Sequence, residues 1–381
     1  MKIKAFITFA LLFGTLSGIA QYNVPKIKNA LKVTLDSILQ ATKTPGMTFA
    51  CVLPDNTLIE VYGGYSDQEA NELIHAQSRM LAGSIGKTFF AALAFQAVED
   101  KKIALDDKLS KYLGNKKWFN RLPNANTITL RMLMNHTSGI EEYYELGGIN
   151  DMLVKNPDKV WDHEEQIAAI LDRQPLFEAG KGWSYADTNY LLLALALEQV
   201  YKKDLFEEIR KLILQPYQLE DTEPALQRSL KNLANGYART GSGLKVEGKV
   251  LIDGKHQINP QMEGAGGGFV SSAKNLARWA KVYHSLPYVS SSLREQIFQG
   301  VDAATGRGHQ YGLGVQLRPT PIGMGYGHGG WFPGYLSEMD YFPERNLAVA
   351  LQVNTDDFSL TGKPPRVFEV LLAKVVLRNL N

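Results

Sequence analysis

The segment Ala82-Gly83-Ser84-Ile85-Gly86-Lys87-Thr88 is a polar turn that runs directly into the strong helix-forming stretch Phe89-Phe90-Ala91-Ala92-Leu93-Ala94. It predicts a helix over Ser84 to Glu99 with Ser84 at the N-terminus. Side chains three residues apart share a helix face, so the Lys87 amine can reach the Ser84 hydroxyl. A lysine can take a proton from serine only when the amine is neutral, which burial favours. The segment therefore indicates a serine nucleophile with a lysine partner.

Two other motifs share these residues, and both fail. Gly86-Lys87-Thr88 ends like a phosphate-binding loop, but that loop requires a glycine five residues before Gly86, where Leu81 stands. The nucleophile elbow Gly-x-Ser-x-Gly has its first glycine replaced by Ala82. Ser-x-x-Lys alone is common on surface helices, so the assignment depends on the rest of the chain.

Two further motifs follow in order, Tyr185-Ala186-Asp187 and His328-Gly329-Gly330. Together with Ser84-Ile85-Gly86-Lys87 they resemble the three motifs of the serine β-lactamase and penicillin-binding protein family. The resemblance is strongest to its branch of class C β-lactamases, D-alanyl-D-alanine carboxypeptidases and esterases, which have Tyr-x-Asn second and Lys- or His-x-Gly third. It extends over roughly residues 45 to 355 through segments without catalytic side chains: Leu133 to Gly139, Phe177 to Tyr190, Gly266 to Ser272 and Tyr311 to Gly314.

The resemblance implies a role for each motif residue. Ser84 attacks a carbonyl carbon, Lys87 and Tyr185 share the removal and return of its proton, and His328 helps to hold this network. The backbone N–H groups of Ser84 and Trp331 form the oxyanion hole, in which one donor contributes about 3 to 4 kcal/mol. No cofactor and no metal are implied. The partner is a small-molecule or peptide substrate.

The glycines of the third motif support a prediction from their residue type alone. Gly329 and Gly330 leave a bare strand that a substrate can approach closely, so both are predicted to bind substrate. Gly329 also stands where many family members have threonine. The hydroxyl that could bind a substrate carboxylate is therefore missing, which favours a peptidase or esterase over a strong β-lactamase or carboxypeptidase.

Asp187 replaces the asparagine of the second motif and leaves two interpretations open. A carboxylate favours the charged form of Lys87, which would give more of the base role to Tyr185. Alternatively, Asp187 could receive a cationic group of the substrate, such as the free amine of an aminopeptidase substrate. We expect Asp187 to contact substrate in the second case.

Apolar periodicity indicates a sheet built from both ends of the chain around a mainly helical middle. The predicted class is α/β (α+β), a mixed and mostly antiparallel sheet flanked by helices, with a sheet lobe of about 21–80 and 265–381 and a helical lobe of about 81–264. A cleft between the lobes is the expected site. The predicted elements are helices over Val24 to Ala41, Ser84 to Glu99, Leu130 to Met134, His163 to Leu171, Asn189 to Val200, Leu205 to Ile213 and Val367 to Leu377, and strands over Met47 to Leu53, Leu58 to Tyr62, Tyr311 to Leu317, Leu336 to Phe342 and Leu347 to Val353.

Residues 1–20 read as a secretory signal, with Lys2 and Lys4, an apolar stretch and cleavage near Ala20. We expect an exported protein, periplasmic or secreted. Cleavage of residues 1–20 would change the formal net charge from +2 to 0, which argues against a nucleic-acid partner. No later stretch reaches the ~18 apolar residues of a membrane span, so no stable membrane insertion is expected. Cys51 is the single cysteine, and the seven histidines show no metal-ligand spacing.

Three points stay open. His136 is interpreted as a structural residue at a helix end rather than as a base. The stretch Glu141 to Leu146 and Trp161 either wall the cleft or pack the helical lobe. The rival function is a catalytically weak or inactive protein that binds penicillin or peptidoglycan fragments, and the sequence indicates no oligomeric state.

Overall fold

A computed structural model describes residues 22–146 and 148–380, and the predicted signal, residues 1–20, lies outside them. Within this part of the chain no helix is long and apolar enough to cross a membrane. The α-helices of the described ranges are α1 (Val24–Thr42), α2 (Lys87–Glu99), α3 (Ser110–Leu113), α4 (Leu130–Met134), α5 (Ile149–Lys155), α6 (His163–Ile167), α7 (Thr188–Tyr201), α8 (Leu205–Ile209), α9 (Ala273–Ser285), α10 (Ser291–Ile297), α11 (Phe358–Thr361) and α12 (Pro365–Arg378).

The strands lie mainly at the two ends of the chain. They are β1 (Gly46–Val52), β2 (Leu58–Asp67), β3 (Glu72–Leu73), β4 (Met80–Leu81), β5 (Glu223–Pro224), β6 (Tyr237–Ala238), β7 (Gly248–Lys249), β8 (Leu251–Ile252), β9 (Lys255–His256), β10 (Phe269–Ser271), β11 (Val301–Asp302), β12 (Gln310–Tyr311), β13 (Gln316–Thr320), β14 (Gly323–Phe332), β15 (Tyr335–Phe342) and β16 (Leu347–Val353).

A nine-stranded sheet has the order β11-β12-β13-β14-β15-β16-β1-β2-β3, and its neighbouring strands pair antiparallel. Every residue of β1 and β16 is buried. Helices cover both faces of these central strands, with α1 and α12 on one side and α9 on the other, which explains their continuous apolar sequence. The prediction of a largely antiparallel sheet built from both chain ends is confirmed.

The first and last helices owe their position to caps and apolar stripes. The Asn23 side chain accepts from the Lys26 amide at 3.0 Å and caps α1, whose Ile27, Leu31 and Leu35 are fully buried four residues apart. At the other end of the chain, α12 starts at Pro365, a residue that fits the first helical turn. Together they close one face of the sheet.

Two helices form the centre of the helical lobe. Residues of α2 and α7 are buried on almost every side, for example throughout Phe89–Phe95 and Leu191–Leu197. A helix that is apolar all round belongs inside a protein, so these two are the core on which the shorter helices pack. A small sheet of order β4-β10-β5 lies where this lobe meets the strands.

Strand β14 continues beyond the end of its neighbour β13, and this decides where the site forms. The β13–β14 pairing ends at Gln316 and Gly327, whereas β14 pairs with β15 as far as Phe332. From His328 onward one edge of β14 is therefore open to the turn that precedes α2.

The structure corrects several predicted boundaries. Tyr311 to Leu317 is not one strand, because a tight turn with Gly314 at φ +71° separates β12 from β13. The segment Ser84 to Glu99 starts as a 3-10 turn and becomes α-helical only at Lys87, and α-helix in His163 to Leu171 ends at Ile167. Helix α9, capped by Ser272, was missed although its apolar residues follow helical spacing.

Candidate active site

Ser84 lies in the 3-10 turn Gly83–Gly86, immediately before α2. The Lys87 amine donates to the Ser84 hydroxyl at 2.9 Å and also to the Asp187 carboxylate and the Gly266 carbonyl. An ammonium has three donors, and Lys87 has three acceptors around a fully buried side chain. This geometry fits a charged lysine fixed beside the serine.

Two glycines allow β14 to pack against the serine turn. A Cβ on Gly83, which has φ +54°, would lie 2.5 Å from the Trp331 nitrogen, and one on Gly330 would lie 1.9 Å from the Ala82 oxygen. Neither approach leaves room for a side chain. The main chains of Ser84 and Trp331 are thereby brought together, and the first N–H groups of a helix have no partner within it. This is the arrangement that the predicted oxyanion hole requires.

Tyr185 reaches the same point from the loop before α7. Its ring lies 4.9 Å from the Lys87 amine, and its hydroxyl is enclosed without a well-aligned hydrogen-bond partner among the described residues. Burial, and then the charge of Asp187, raise the pKa of Tyr185 well above its usual range, while the nearby Ser84 side chain opposes part of the rise. Tyr185 is therefore a neutral phenol at neutral pH, which suits it to donate a proton. The predicted share of Tyr185 in removing the Ser84 proton stays a prediction.

The His136 ring packs against the Tyr185 ring. The two rings stack with centroids 4.3 Å apart, and the His136 Nδ1 accepts from the Ala186 amide at 3.3 Å and from the Asn189 amide group at 3.1 Å. Burial and the Lys87 charge lower the pKa of His136 well below its usual range. A neutral ring with Nδ1 as acceptor positions the Tyr185 segment, in agreement with the structural interpretation.

His328 lies in the middle of β14 and is completely buried. Its Nδ1 is 2.6 Å from the Gly329 carbonyl, which can only accept, so Nδ1 carries the proton and Nε2 accepts from the Tyr311 hydroxyl at 2.7 Å. Burial, and then Lys87, lower the pKa of His328 to about 3. His328 therefore stays neutral and contacts the site through rings, 6.2 Å between centroids from Tyr185, rather than through a hydrogen bond to Ser84.

Three carboxyl groups form a group that we call the acidic cluster: Asp187 contacts the Lys87 amine, and Glu142 and Glu263 interact with both Asp187 and Lys87 by charge. Glu142 accepts from the amides of Tyr143 at 2.9 Å and Asp187 at 2.6 Å. Glu263 accepts from the Gly268 amide at 2.8 Å. Burial, followed by the Asp187 charge, raises the pKa of Glu142 well above its usual range and that of Glu263 to about 8. The pair of Lys87 and Asp187 is thus flanked by two carboxyl groups whose negative forms are disfavoured.

A cavity of about 240 Å³ opens beside Ser84. It has a polar side at Tyr185, Asp187 and Glu263, and its remaining walls are mostly apolar or aromatic. The other lining residues are Tyr143, Tyr144, Leu244, Met262, Trp331 and Phe332. The tyrosines of the stretch Glu141 to Leu146 thus wall the cavity, whereas Trp161 is buried in the core.

The glycines of the third motif do not line this cavity. Gly330 faces the Ala82 main chain, as described above, and a Cβ on Gly329 would lie 3.1–3.4 Å from the Glu338 carboxyl group on the α12 side of the sheet. The Cβ of a threonine at position 329 would therefore point toward Glu338. Substrate contact by the main chain of Gly329 and Gly330 stays a prediction.

Sequence reasoning missed Glu142, Glu263 and Tyr311 as parts of the site. Glu142 belongs to the tyrosine-rich stretch that was already a candidate cleft wall. Glu263 directly precedes the glycines of 264–268, a segment where the main chain comes close to other groups. Neither signal is sufficient alone, because only packing shows that both carboxyl groups face Lys87.

The family model described as Beta-lactamase matches residues 32–372. The chain belongs to this beta-lactamase family. The resemblance that the three motifs suggested is confirmed.

Two curated proteins are similar in sequence to this family member. Penicillin-binding protein 4* of Bacillus subtilis (strain 168) is 26% identical over 313 residues, which are 77% of this chain and 65% of the relative. D-aminopeptidase of Brucella anthropi is 23% identical over 328 residues, 86% of this chain and 59% of the relative. The family member thus spans about three fifths of the length of these relatives.

A solved structure agrees with the fold of this family member. D-amino acid amidase from Ochrobactrum anthropi SV3, complexed with L-phenylalanine amide, superposes with a TM-score of 0.77 and 21% identity, covering 93% of this chain and 98% of that chain. The likeness confirms the predicted fold class.

Proposed function

We propose that this protein is a serine hydrolase that cleaves amide or ester bonds of small substrates through an acyl-enzyme on Ser84. The observation that carries the proposal is the 2.9 Å contact of the buried Lys87 amine with the Ser84 hydroxyl at the edge of a cavity. A lysine with only a structural role would not need to be buried beside a half-buried serine at the start of a helix. Membership of the beta-lactamase family supports the same chemistry.

The proposed acylation uses the hydrogen bonds around Lys87. The Ser84 oxygen bonds to the carbonyl carbon as its proton passes to the Lys87 amine, which must be neutral for this step. Negative charge develops on the carbonyl oxygen, where the N–H groups of Ser84 and Trp331 stabilise it. The bond to the leaving group then breaks as Tyr185 protonates the amine or alcohol, and Tyr185 regains a proton from Lys87, which returns the proton that came from Ser84. Attack by water on the acyl carbon, with return of a proton to the Ser84 oxygen, completes hydrolysis.

The acidic cluster points to a substrate with a free amine. Asp187 and Glu263 line the cavity, so an ammonium group of the substrate would meet two carboxyl groups there, and Glu142 accepts from the main-chain amide of Asp187. Binding of a cation favours the ionised form of Glu263, although burial alone opposes it. A peptide or amide with a free α-amine is the substrate class that we propose. The name of the Brucella relative, D-aminopeptidase, agrees with this class.

The test of the nucleophile is intact-mass spectrometry after exposure to a fluorophosphonate and, separately, to a penicillin. We expect an adduct of the wild type with the fluorophosphonate, no adduct of Ser84→Ala, and an unchanged adduct of Ser285→Ala, which alters an exposed serine on α9. An adduct that survives in Ser84→Ala would contradict the proposal.

The test of the substrate class compares alanine p-nitroanilide with its N-acetylated form, each as D and L isomer. The wild type should prefer the free amine at least tenfold in kcat/KM. Because a hydrogen bond to a charged group contributes about 1.5 to 3 kcal/mol, Glu263→Gln should reduce this preference about tenfold or more. Glu145→Gln, at an exposed position of the same stretch as Glu142, is the control. Equal rates on free and acetylated substrates would refute the amine site but leave the hydrolase proposal intact.

One observation favours the rival function. Lys87 is surrounded by three acceptors, so in this arrangement it cannot accept a proton from Ser84 until it has given one away. A catalytically weak protein that binds penicillin or peptidoglycan fragments would tolerate such a resting state. A stable, stoichiometric penicillin adduct without turnover of any amide or ester would support this rival.

The exported location stays a prediction from the sequence of residues 1–20. N-terminal sequencing of protein recovered outside the cytoplasm tests it, and a mature start near Gln21 is expected.

A further inference from the structure

One side of the cavity beside Ser84 is formed by a loop that no step of the proposed hydrolysis uses. This loop, residues 239–247, connects β6 with β7, and we call it the cover loop. It supplies Leu244, which lines the cavity and is 3% exposed. Leu244 therefore borders the space that a substrate bound at Ser84 would enter.

Leu244 differs from the other apolar and aromatic walls of this cavity in its main chain. The other five walls lie in 3-10 turns or in β14, so hydrogen-bonded secondary structure holds them. Tyr143, for example, also donates from its hydroxyl to the Met262 carbonyl at 2.9 Å. Leu244 is therefore the wall that can move with the least disturbance of the others.

The cover loop is anchored at one point and loosely packed at two others. The Val246 side chain is fully buried. Gly241 has φ +75° and Gly248, the first residue of β7, has φ +67°, and a Cβ on either would meet no atom of a described residue within 4 Å beyond its chain neighbours. Glycine adopts such main-chain conformations freely. The tip that carries Leu244 is thus flanked by two positions where the main chain is not held by packing.

Two contacts connect the tip of the cover loop to α5. The Asn150 side-chain amide donates to the Gly243 carbonyl at 2.6 Å, and Lys245 forms an ion pair with Asp151. Both partners of the ion pair are more than half exposed, so it contributes little. The Asn150 hydrogen bond is therefore the contact whose removal should loosen the tip.

The size of the cavity indicates what Leu244 would select. Its volume of about 240 Å³ is below the range of about 300 to 1,000 Å³ that small-molecule sites occupy. Part of this space must hold the carbonyl group under attack. In an apolar pocket a single methylene changes kcat/KM by about tenfold or more, so a long acyl chain should be strongly disfavoured while Leu244 keeps its position.

We propose that Leu244 determines which acyl groups the enzyme accepts: small acyl groups fit beside it, and longer ones require the cover loop to move away from the cavity. This inference rests on the proposed function, because it concerns the acyl group that Ser84 would carry. It extends that proposal from the amine of the substrate to the size of its acyl group.

The experiment compares kcat/KM of the full chain for p-nitrophenyl acetate and p-nitrophenyl hexanoate, after subtraction of the rate of Ser84→Ala. The two esters share a leaving group and lack an amine, so the comparison does not depend on the acidic cluster. Their ratio on one preparation is also independent of the fraction of folded enzyme. We expect the wild type to prefer the acetate.

Variants of the cover loop test the role of its leucine. Leu244→Ala should raise the ratio of hexanoate to acetate at least tenfold, because it removes the wall that excludes the longer chain. Leu244→Met, which nearly conserves the volume of the side chain, should stay close to the wild type. Leu73→Ala, at a 64% exposed leucine of β3, is the control and should not change the ratio.

A variant of the tether tests the movement of the loop without altering any wall of the cavity. Asn150→Ala removes the hydrogen bond to Gly243 and should raise the ratio about three- to tenfold. An unchanged ratio in Asn150→Ala would contradict the proposed movement of the cover loop.

Two further results separate this proposal from the proposed function. If the wild type hydrolyses both esters at Ser84 and Leu244→Ala leaves their ratio unchanged, the role of Leu244 is overturned and the hydrolase proposal stands. If no ester is hydrolysed at Ser84, both proposals are overturned.

Discussion

The replacement Asp187→Asn tests how the lysine beside Ser84 becomes a base. Opposite charges about 4 Å apart interact by about 4 kcal/mol at an effective dielectric constant of about 20. This attraction stabilises the ion pair of Lys87 with Asp187, so a neutral Lys87 amine is harder to form while Asp187 is present. Desolvation of the buried pair cancels part of that gain, but a remainder of about 1.4 kcal/mol already corresponds to a tenfold change in rate.

The assay is the pH dependence of kcat/KM with an ester that has no amine, so that loss of a substrate contact does not interfere. The asparagine oxygen can still accept from Lys87, which keeps the side chain in place. We expect the acidic limb of the profile to move to lower pH. Activity at pH 6 should rise at least tenfold.

The control is Glu263→Gln, which removes another carboxyl group of the acidic cluster that has no hydrogen bond to Lys87. The acidic limb of its kcat/KM profile should move much less than that of Asp187→Asn. If Asp187→Asn loses activity on the ester while its acidic limb stays in place, the reasoning is refuted and Asp187 acts in another way.

Three further predictions concern the packing of the site. Gly330→Ala forces a Cβ to 1.9 Å from a main-chain oxygen and should cost about 1 to 3 kcal/mol of unfolding free energy and most activity. A Cβ at Gly329→Ala lies 3.1–3.4 Å from the Glu338 carboxyl group, which needs only a small shift, so this variant should lose less of both. Urea denaturation and ester hydrolysis compare the two variants. Because the folded-state pKa of Glu263, about 8, exceeds the ordinary 4.5, its carboxyl stabilises the fold at low pH, and this contribution is lost as the pH rises from about 4.5 to 8. Glu263→Gln should therefore reduce the change in unfolding free energy between about pH 4.5 and 8 by several kcal/mol. If the unfolding free energy of the variant changes with pH as steeply as that of the wild type, the raised pKa of Glu263 is contradicted. Tyr311→Phe leaves the His328 Nε2 buried and unpaired and should cost about 1 to 3 kcal/mol, measured by thermal or urea unfolding; an unchanged stability would show that the bond is not formed.

Local sequence determined the features whose partners are near in the chain. Ser84 and Lys87 meet because residues three apart share one side of a helical turn, and this holds whether the turn is 3-10 or α-helical. The continuous apolar runs of β1 and β16 indicated buried strands, since both faces of a central strand are covered. The order and spacing of the three motifs were sufficient to suggest the family.

The sequence was less informative where a glycine or an amphipathic stripe has several explanations. The replacement of threonine by Gly329 suggested a missing substrate contact, yet the pairing of β14 with β15 turns this position toward Glu338. Helix α9 was not predicted although its apolar residues follow helical spacing, and only the packed structure shows that it lies against β1, β15 and β16.

Only the tertiary structure decided the electrostatics of the site. Asp187 and Gly266, which stand 100 and 179 residues from Lys87 in the chain, both accept from its amine. The pKa shifts of Tyr185, His328 and Glu263 depend on burial, which no local pattern shows. The sequence by itself determined which groups could react, because motif spacing is a local property; the folded structure decided their protonation, because charge and desolvation depend on every residue packed around them.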